Sequence, residues 1–346
     1  MTKSRINEID ILKGIAIISV LMIHTTSNAV VVLNKTSISY FILASINRLT
    51  QFAVPAFIFA SAMLLMYNYG DKHDWGVFYK RRFKNVLFPY ISWTIIYGAY
   101  LIVRYHMPLK SILTVKNLLL GGMFYHMYFI VIIVQLYLLF PIILYIYKFI
   151  NKNFYTVASA IILFQIADIL IFKYLIYKYF QNSSVLFITY ISYIIAGMYI
   201  GENIPKWKKY YTKEGLITLF IALITGYLFV DISLKIFINK PVNLNLYNIY
   251  WYTFTLTASL FFMALSTQIS RYHRLSSFLI NTGKLSFGIY LIHPLILDIL
   301  MHFLKTGKPL LFDIYTGVAF VIIFIVSYFI TKILKKIPWG AIIVGK

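Results

Sequence analysis

The sequence predicts an all-α integral membrane protein with about ten transmembrane helices in one bundle and both termini in the cytoplasm. Hydrophobic residues make up 61% of the 346 residues, whereas soluble domains are roughly half apolar. The mean hydropathy is +0.80. The apolar residues are also gathered into stretches, most of which reach the ~20 residues needed to cross a bilayer.

Ten such stretches can be drawn. Asp168 and Asp231 interrupt or end two of them, so nine or eleven spans also fit the sequence. The first stretch exceeds the usual apolar core of a signal peptide and lacks a convincing cleavage pattern, which favours a retained first helix. The stretches cover residues 11–33, 40–67, 86–103, 124–147, 154–172, 184–201, 215–234, 249–269, 278–304 and 311–331.

Basic residues set the predicted orientation. Most of the 32 Lys and Arg residues precede the first stretch, follow the last, or lie in the even-numbered connections. The positive-inside rule therefore places both termini in the cytoplasm. A formal charge of +22 would also suit a nucleic-acid binder, but this distribution favours membrane topology, so we expect membrane lipids and no nucleic acid as partners.

The chain contains no cysteine, which excludes a thiol nucleophile and disulfides. We expect no metal site and no tightly bound cofactor. The stretches and their connections use nearly the whole chain without a low-complexity linker, so residues 1–346 are interpreted as a single membrane domain.

Lys13 and His24 lie eleven residues apart on the first apolar stretch. Eleven helical steps of about 100° return to within about 20° of the starting direction and rise roughly 16 Å, so both side chains share a face. Ionisable residues inside a membrane helix are functional candidates. His24 can serve as a general base, because a neutral imidazole accepts a proton from a hydroxyl; the alternative is a structural histidine bonded to another helix.

Asp10 precedes Lys13 by three residues, which allows a side-chain pair on one helical turn. The pair either anchors the helix end or orients Lys13 toward an anionic ligand. A second basic group, Arg81, Arg82 and Lys84, falls at the end of the longest polar connection, residues 67–85. It is interpreted either as a topology signal or as a phosphate site for a cytosolic donor.

Polar residues also mark two later stretches. Ser286, Tyr290 and His293 recur at intervals of four and three, which places them on one face of the ninth helix. His126 opens the fourth stretch; it is either an interfacial anchor or a residue that contacts substrate.

Taken together, these segments resemble the acyltransferase-3 family of bacterial ten-helix membrane acyltransferases. Asp10, Lys13 and His24 resemble its opening signature, although Arg is usual at the position of Lys13. Asn85 stands where some members carry a second Arg, and Tyr128 stands where Trp is frequent. The resembling segments are VPAFIFASAMLL (54–65), RRFKNVLFPY (81–90), HMYFIVIIVQLYLLFP (126–141) and GKLSFGIYLIHP (283–294).

The resemblance implies an enzyme of the bacterial cytoplasmic membrane that transfers an acyl group from acetyl-CoA, or another short acyl-CoA, to a hydroxyl of an extracellular or lipid-linked glycan. His24, Tyr290 and His293 are then the expected catalytic residues. His126 and Ser286 are expected to contact the acceptor, and the machinery that synthesises the polysaccharide is a candidate partner. The expected donor-binding residues are Asp10, Lys13, Arg81, Arg82 and Lys84.

Two other classes of function fit the same residues. Buried polar groups also line the pathways of transporters, so the chain could instead export or flip a surface polysaccharide. A non-catalytic membrane subunit is the third interpretation, and the polar residues His24, Tyr290 and His293 count modestly against it.

Overall fold

The computed structural model describes residues 5–71, 74–172, 175, 183–303 and 308–345, and the regular elements within them are all helical. This confirms the predicted all-α class. The α-helices, numbered in chain order, are α1 (Asn7–Val32), α2 (Ile38–Leu49), α3 (Ala53–Tyr69), α4 (Trp75–Tyr105), α5 (Leu109–Ile112), α6 (Val115–Leu119), α7 (Tyr128–Ile150), α8 (Phe154–Ala167), α9 (Ile191–Glu202), α10 (Ile204–Phe237), α11 (Leu244–Ile269), α12 (His273–Phe303), α13 (Pro309–Leu334) and α14 (Ala341–Val344).

Nine helical segments within the described part of the chain are long and apolar enough to cross a membrane. The second joins α2 to α3 through the short 3₁₀ turn Thr50–Phe52, and the fifth adds the π turn Asp168–Phe172 to α8. Nine of the ten predicted spans therefore correspond to described helical segments long enough to cross a membrane.

The sixth predicted span is shorter than expected. Residues Ser183–Val185 and Phe187–Tyr190 form 3₁₀ turns, and a regular helix begins only at Ile191. Gln135 of α7 explains how this irregular backbone is satisfied: its amide donates to the carbonyl of Val185 at 2.8 Å and accepts from the Phe187 backbone N–H at 3.1 Å. Non-helical backbone within a membrane protein requires such internal partners.

Helix α4 begins at Trp75, eleven residues before the predicted start of the third span at residue 86. The Asp74 side chain caps it by accepting from the Val77 backbone N–H at 3.0 Å, as N-cap acids do. Residues 81–84 therefore lie on a helix, and the expectation that they belong to a polar connection was wrong. Hydropathy underestimated the length because the first turns of α4 are rich in basic residues.

The chain forms two compact units, each made of segments that are not continuous in sequence. The first contains residues up to Met63 together with Asn203–Tyr328. Within it, α1 packs against α2, α11 and α12, and α10 packs against α11. The second contains Leu64–Glu202 and the residues from Phe329 onward.

In the second unit, α8 packs against α9, and α4 contacts both α7 and α14. The indole of Trp93 on α4 donates to the carbonyl of Ile343 on α14 at 2.9 Å. This bond ties the last helix of the chain to α4.

Candidate functional site

Two glycines allow α1 and α12 to pack with their backbones in close contact. A Cβ atom at Gly283 would lie 1.9 Å from the carbonyl oxygen of Asp10, and one at Gly14 would lie 2.4 Å from that of Leu279. Small residues at such positions are the usual means by which membrane helices approach each other. The contact therefore sets the register between the two helices that carry the predicted catalytic residues.

The helix pair brings three predicted catalytic residues together in the first unit. The imidazole rings of His24 on α1 and His293 on α12 have centroids 5.2 Å apart at an interplanar angle of 32°. The ring of Tyr290 lies 5.9 Å from that of His293. His293 is fully buried and Tyr290 is 4% exposed, while His24 is half-buried. These three residues form what we call the histidine centre.

The tautomer of His293 follows from a contact between its ring and the backbone. Its Nδ1 lies 3.1 Å from the carbonyl oxygen of Ile289. A carbonyl only accepts hydrogen bonds, so Nδ1 carries the proton, and in the neutral ring Nε2 carries the lone pair. Ser286, two turns before His293 on α12, is also buried, so the predicted polar stripe Ser286–Tyr290–His293 lies inside the protein.

Asp10 and Lys13 form the predicted pair at the start of α1. The Lys13 ammonium lies 3.3 Å from one carboxylate oxygen of Asp10, and Arg5 Nε donates to the other at 2.6 Å. Asp10 is buried, whereas the Lys13 side chain keeps 25% of its exposure. Since α1 begins at Asn7, four residues before the predicted stretch 11–33, His24 lies seventeen residues, or roughly 25 Å, along it.

A polar tract follows His24 on the same helix. The hydroxyls of Thr25, Thr26 and Ser27 each donate to the carbonyl four residues earlier, at 3.0, 2.6 and 2.6 Å. Asn47 of α2 crosses to this tract, where its amide lies 2.8 Å from the Ile23 carbonyl and 3.1 Å from the Thr26 hydroxyl. Consecutive contacts of this kind hold the turn that carries His24 in place.

The predicted basic cluster lies on α4 in the second unit, where its members have different surroundings. The Arg82 guanidinium lies over three aromatic rings, those of Tyr69 at 5.4 Å, Phe78 at 5.9 Å and Tyr137 at 5.4 Å. Arg81 and Lys84 are exposed. Arg82 is thus held within the unit by cation–π contacts, and the other two are available to solutes or lipid headgroups.

His126 lies in the second unit and is 1% exposed. Its ring makes edge contacts with Tyr97 at 5.3 Å and Tyr125 at 5.8 Å. These contacts describe a histidine packed in an aromatic cluster rather than an anchor on the protein surface.

No group of three His, Cys, Asp or Glu residues that could hold a metal ion occurs in the described ranges. The side chains of the histidine centre are imidazole and phenol groups, which can transfer protons and donate hydrogen bonds.

Sequence reasoning overlooked four residues that shape these sites. Gly14 and Gly283 set the α1–α12 contact, Asn47 braces the His24 turn, and Gln135 supports the broken span. Gly14 directly follows Lys13, Gln135 lies in the segment 126–141 and Gly283 lies in the segment 283–294. These positions could have drawn attention to the three residues, whereas no sequence feature singled out Asn47.

Comparison with known proteins gives one family match and several related proteins. The family described as "Acyltransferase domain" (Acyl_transf_3) matches residues 6–334. Two curated proteins of Staphylococcus aureus, from strains MSSA476 and MRSA252, are both named "Probable poly-beta-1,6-N-acetyl-D-glucosamine export protein". Each is 26% identical to this chain over an alignment of 273 residues, and the match covers 73% of this chain and 71% of the relative. No solved structure matches the chain.

Proposed function

We propose that this chain, which belongs to the Acyl_transf_3 family of acyltransferase domains, moves an acetyl or other short acyl group from cytosolic acyl-CoA to a hydroxyl of an extracellular or lipid-linked glycan. The observation that carries this proposal is the histidine centre. Two imidazoles with centroids 5.2 Å apart, beside a tyrosine, are placed on the tightly packed α1–α12 pair.

His24 acts as the general base in this mechanism. It accepts the proton of the acceptor hydroxyl while that oxygen attacks the thioester carbonyl. The tetrahedral intermediate then collapses, the carbon–sulfur bond breaks, and the thiolate of CoA takes the proton back from His24. Atoms and charges balance without a covalent enzyme intermediate, which suits a chain without cysteine.

Tyr290 and His293 assist at the same place. His293 presents Nε2 with its lone pair, because Nδ1 donates to Ile289, so it can orient the acceptor hydroxyl as a hydrogen-bond acceptor. The Tyr290 hydroxyl supplies a donor for the developing oxyanion; preorganised donors of this kind are worth about 10²–10³ in rate. Ser286 lies one turn before Tyr290 on the same buried face and contributes to acceptor binding.

The donor enters from the cytoplasmic end. Lys13, held by Asp10 at 3.3 Å, lies eleven residues before His24, a rise of roughly 16 Å that suits an extended pantetheine arm. Binding of CoA phosphates by Arg81, Arg82 and Lys84 of the second unit stays a separate prediction; Arg81 and Lys84 are exposed on α4.

Export of a glycan is the second candidate function. Two observations favour it: the name of the Staphylococcus aureus relatives and the non-helical start of the sixth predicted span, since irregular backbone within spans is common in transporters. Export would move the glycan without consuming acyl-CoA, so the two functions differ in a measurable product.

Reconstituted vesicles test the proposal. Labelled acetyl-CoA and extracted surface glycans are supplied to vesicles that contain the wild-type chain, His24→Ala or His273→Ala. His273 is an exposed histidine at the start of α12, so its replacement controls for the loss of a histidine. We expect label on the glycan with the wild type and His273→Ala only. Equal labelling by His24→Ala would exclude His24 as the base, and glycan movement without labelling would favour export.

A further inference from the structure

Arg48 is a charged residue inside a membrane-spanning helix to which the mechanism above gives no role. It lies in α2, in the second candidate span, and is half-buried. Arginine within such a segment is costly and is by default a candidate for a functional site. A functional role for Arg48 depends on what its guanidinium contacts.

The contacts of Arg48 within the described residues are all to uncharged groups. Its Nη2 donates to the Asn47 amide oxygen at 2.7 Å, its guanidinium hydrogen-bonds the Tyr247 hydroxyl, and it lies 4.8 Å from the ring centroid of Phe237. Its Nε is buried without a hydrogen-bond partner, and no described carboxylate pairs with it. Among the residues that the structure describes, the charge of Arg48 therefore has no counter-ion.

Lys35 places a second positive charge beside Phe237, whose ring the Arg48 guanidinium also contacts. Its ammonium donates to the carbonyl of Phe237, the last residue of α10. A helix C-terminus offers a partial charge of about −0.5, which offsets only a fraction of the two full charges. Asp231 pairs with Lys235 at 2.6 Å. Asp313 accepts from the Ser39 hydroxyl through one carboxylate oxygen, its other oxygen is buried without a described hydrogen-bond partner, and no described ion pair joins it to Arg48 or Lys35.

Arg48 lies close to the level of His24, whereas Lys35 lies on the connection between α1 and α2. α1 ends eight residues after His24, and α2 starts ten residues before Arg48. His24 therefore lies roughly 12 Å, and Arg48 roughly 15 Å, from the connection that joins the two helices. Asn47 connects Arg48 to the helical turn that carries His24, because it accepts a hydrogen bond from Arg48 and donates one to the Ile23 carbonyl. By the predicted orientation, the connection that holds Lys35 faces outward.

We propose that Arg48 and Lys35 form an anion subsite that binds a phosphate group of the acceptor beside the histidine centre. The inference rests on the proposed function only in taking the ligand to be the acceptor. A guanidinium offers Nε and Nη as a fork that matches two phosphate oxygens, and in Arg48 the Nε donor is uncommitted within the described structure. Lys35 is exposed and meets the anion first, as a point charge.

The phosphate can belong to the lipid carrier of the glycan or to a phosphate substituent on the sugar. Both sources offer the same oxygens to Arg48, so the probes must separate them. We choose a short-chain prenyl diphosphate N-acetylglucosamine, the matching prenyl glycoside without phosphate, and a soluble oligosaccharide that carries a sugar phosphate. Binding to the full chain in phosphatidylcholine nanodiscs is measured without acyl-CoA.

The wild type is expected to bind at least one phosphate-bearing probe about 10-fold or more tightly than the neutral glycoside, as charge-assisted hydrogen bonds imply. The phosphate probe that binds identifies the source. Arg48→Gln and Lys35→Gln are expected to remove most of this preference, and Arg48→Lys to retain part of it. Lys235→Gln is the matched control, because Lys235 is basic, close in the fold and already paired with Asp231; it should keep the preference.

Equal binding of phosphate-bearing and neutral probes by the wild type would overturn the subsite. So would an equal loss for all probes in both Gln variants, which would indicate a purely structural role. Lys35 is exposed, so its variant remains informative even if Arg48→Gln fails to fold. Phosphate preference without acyl transfer would support the subsite and contradict the proposed enzyme, whereas transfer without phosphate preference would do the reverse.

Discussion

At the scale of single residues, the two histidines of the histidine centre have distinct environments. His24 is half-buried on α1, and His293 is fully buried with its tautomer set by Ile289. A residue that exchanges protons with an incoming hydroxyl needs access, which His24 has. A residue that orients the hydroxyl needs a fixed lone pair, which His293 supplies.

His293→Leu tests this division of roles. Leucine retains much of the buried volume but removes both ring nitrogens, so we expect acyl transfer to fall by about 10²-fold or more, within the range of acid–base and positioning effects. The midpoint of thermal unfolding should change little, since a buried polar group is replaced by an apolar one. Initial rates and unfolding of the purified variant give both values; unchanged transfer would remove His293 from the mechanism.

At the scale of helices, the close α1–α12 contact depends on residues without side chains. In Gly283→Ala the new methyl group would lie 1.9 Å from the Asp10 carbonyl oxygen, so the helices must separate. We expect a loss of about 1–3 kcal/mol in stability, typical of overpacking, together with reduced transfer because His24 and His293 move apart.

Gly317→Ala on α13 provides the control for this prediction. A Cβ atom there meets nothing within 4 Å, so the substitution should be neutral or stabilise the helix by up to about 1 kcal/mol. Thermal unfolding in detergent compares the two variants. Equal stability of Gly283→Ala and wild type would contradict the role of close packing.

The irregular backbone at the start of the sixth predicted span allows a second prediction at the scale of helices. Gln135→Leu would leave the Val185 carbonyl and the Phe187 N–H without their side-chain partner, and each buried unsatisfied group costs about 1–3 kcal/mol. Gln165→Leu is the matched control, because the Gln165 amide nitrogen is buried without a described partner. Thermal unfolding should show a clear loss for Gln135→Leu and none for Gln165→Leu.

At the scale of the whole molecule, the predicted orientation in the membrane can be tested by labelling single introduced cysteines, because the chain has no cysteine of its own that would react. Thr36→Cys is exposed in the connection between α1 and α2, and Lys152→Cys is exposed between α7 and α8. We expect a membrane-impermeant maleimide to label Thr36→Cys in intact cells and Lys152→Cys only after permeabilisation, as the positive-inside rule requires. The reverse pattern would invert the topology and place the donor end outside.

The sequence by itself determined the helical membrane class, most helix positions and the residues of the histidine centre. Hydropathy and helical period are local properties, so Lys13 and His24 could be placed on one face, and Ser286, Tyr290 and His293 on another, from spacing alone. The early start of α4 was missed because basic residues in its second and third turns lower the local hydropathy. The irregular backbone before α9 was missed because the glutamine that supports it lies on another helix.

Only the tertiary structure decided which of these faces meet. The contact between His24 and His293 depends on two glycines that let distant segments pack backbone to backbone. The enclosure of Arg82 by three aromatic rings and the convergence of Arg48 and Lys35 on Phe237 likewise arise from residues far apart in the chain. Helix packing depends on steric fit between surfaces, and no local pattern encodes which surfaces fit.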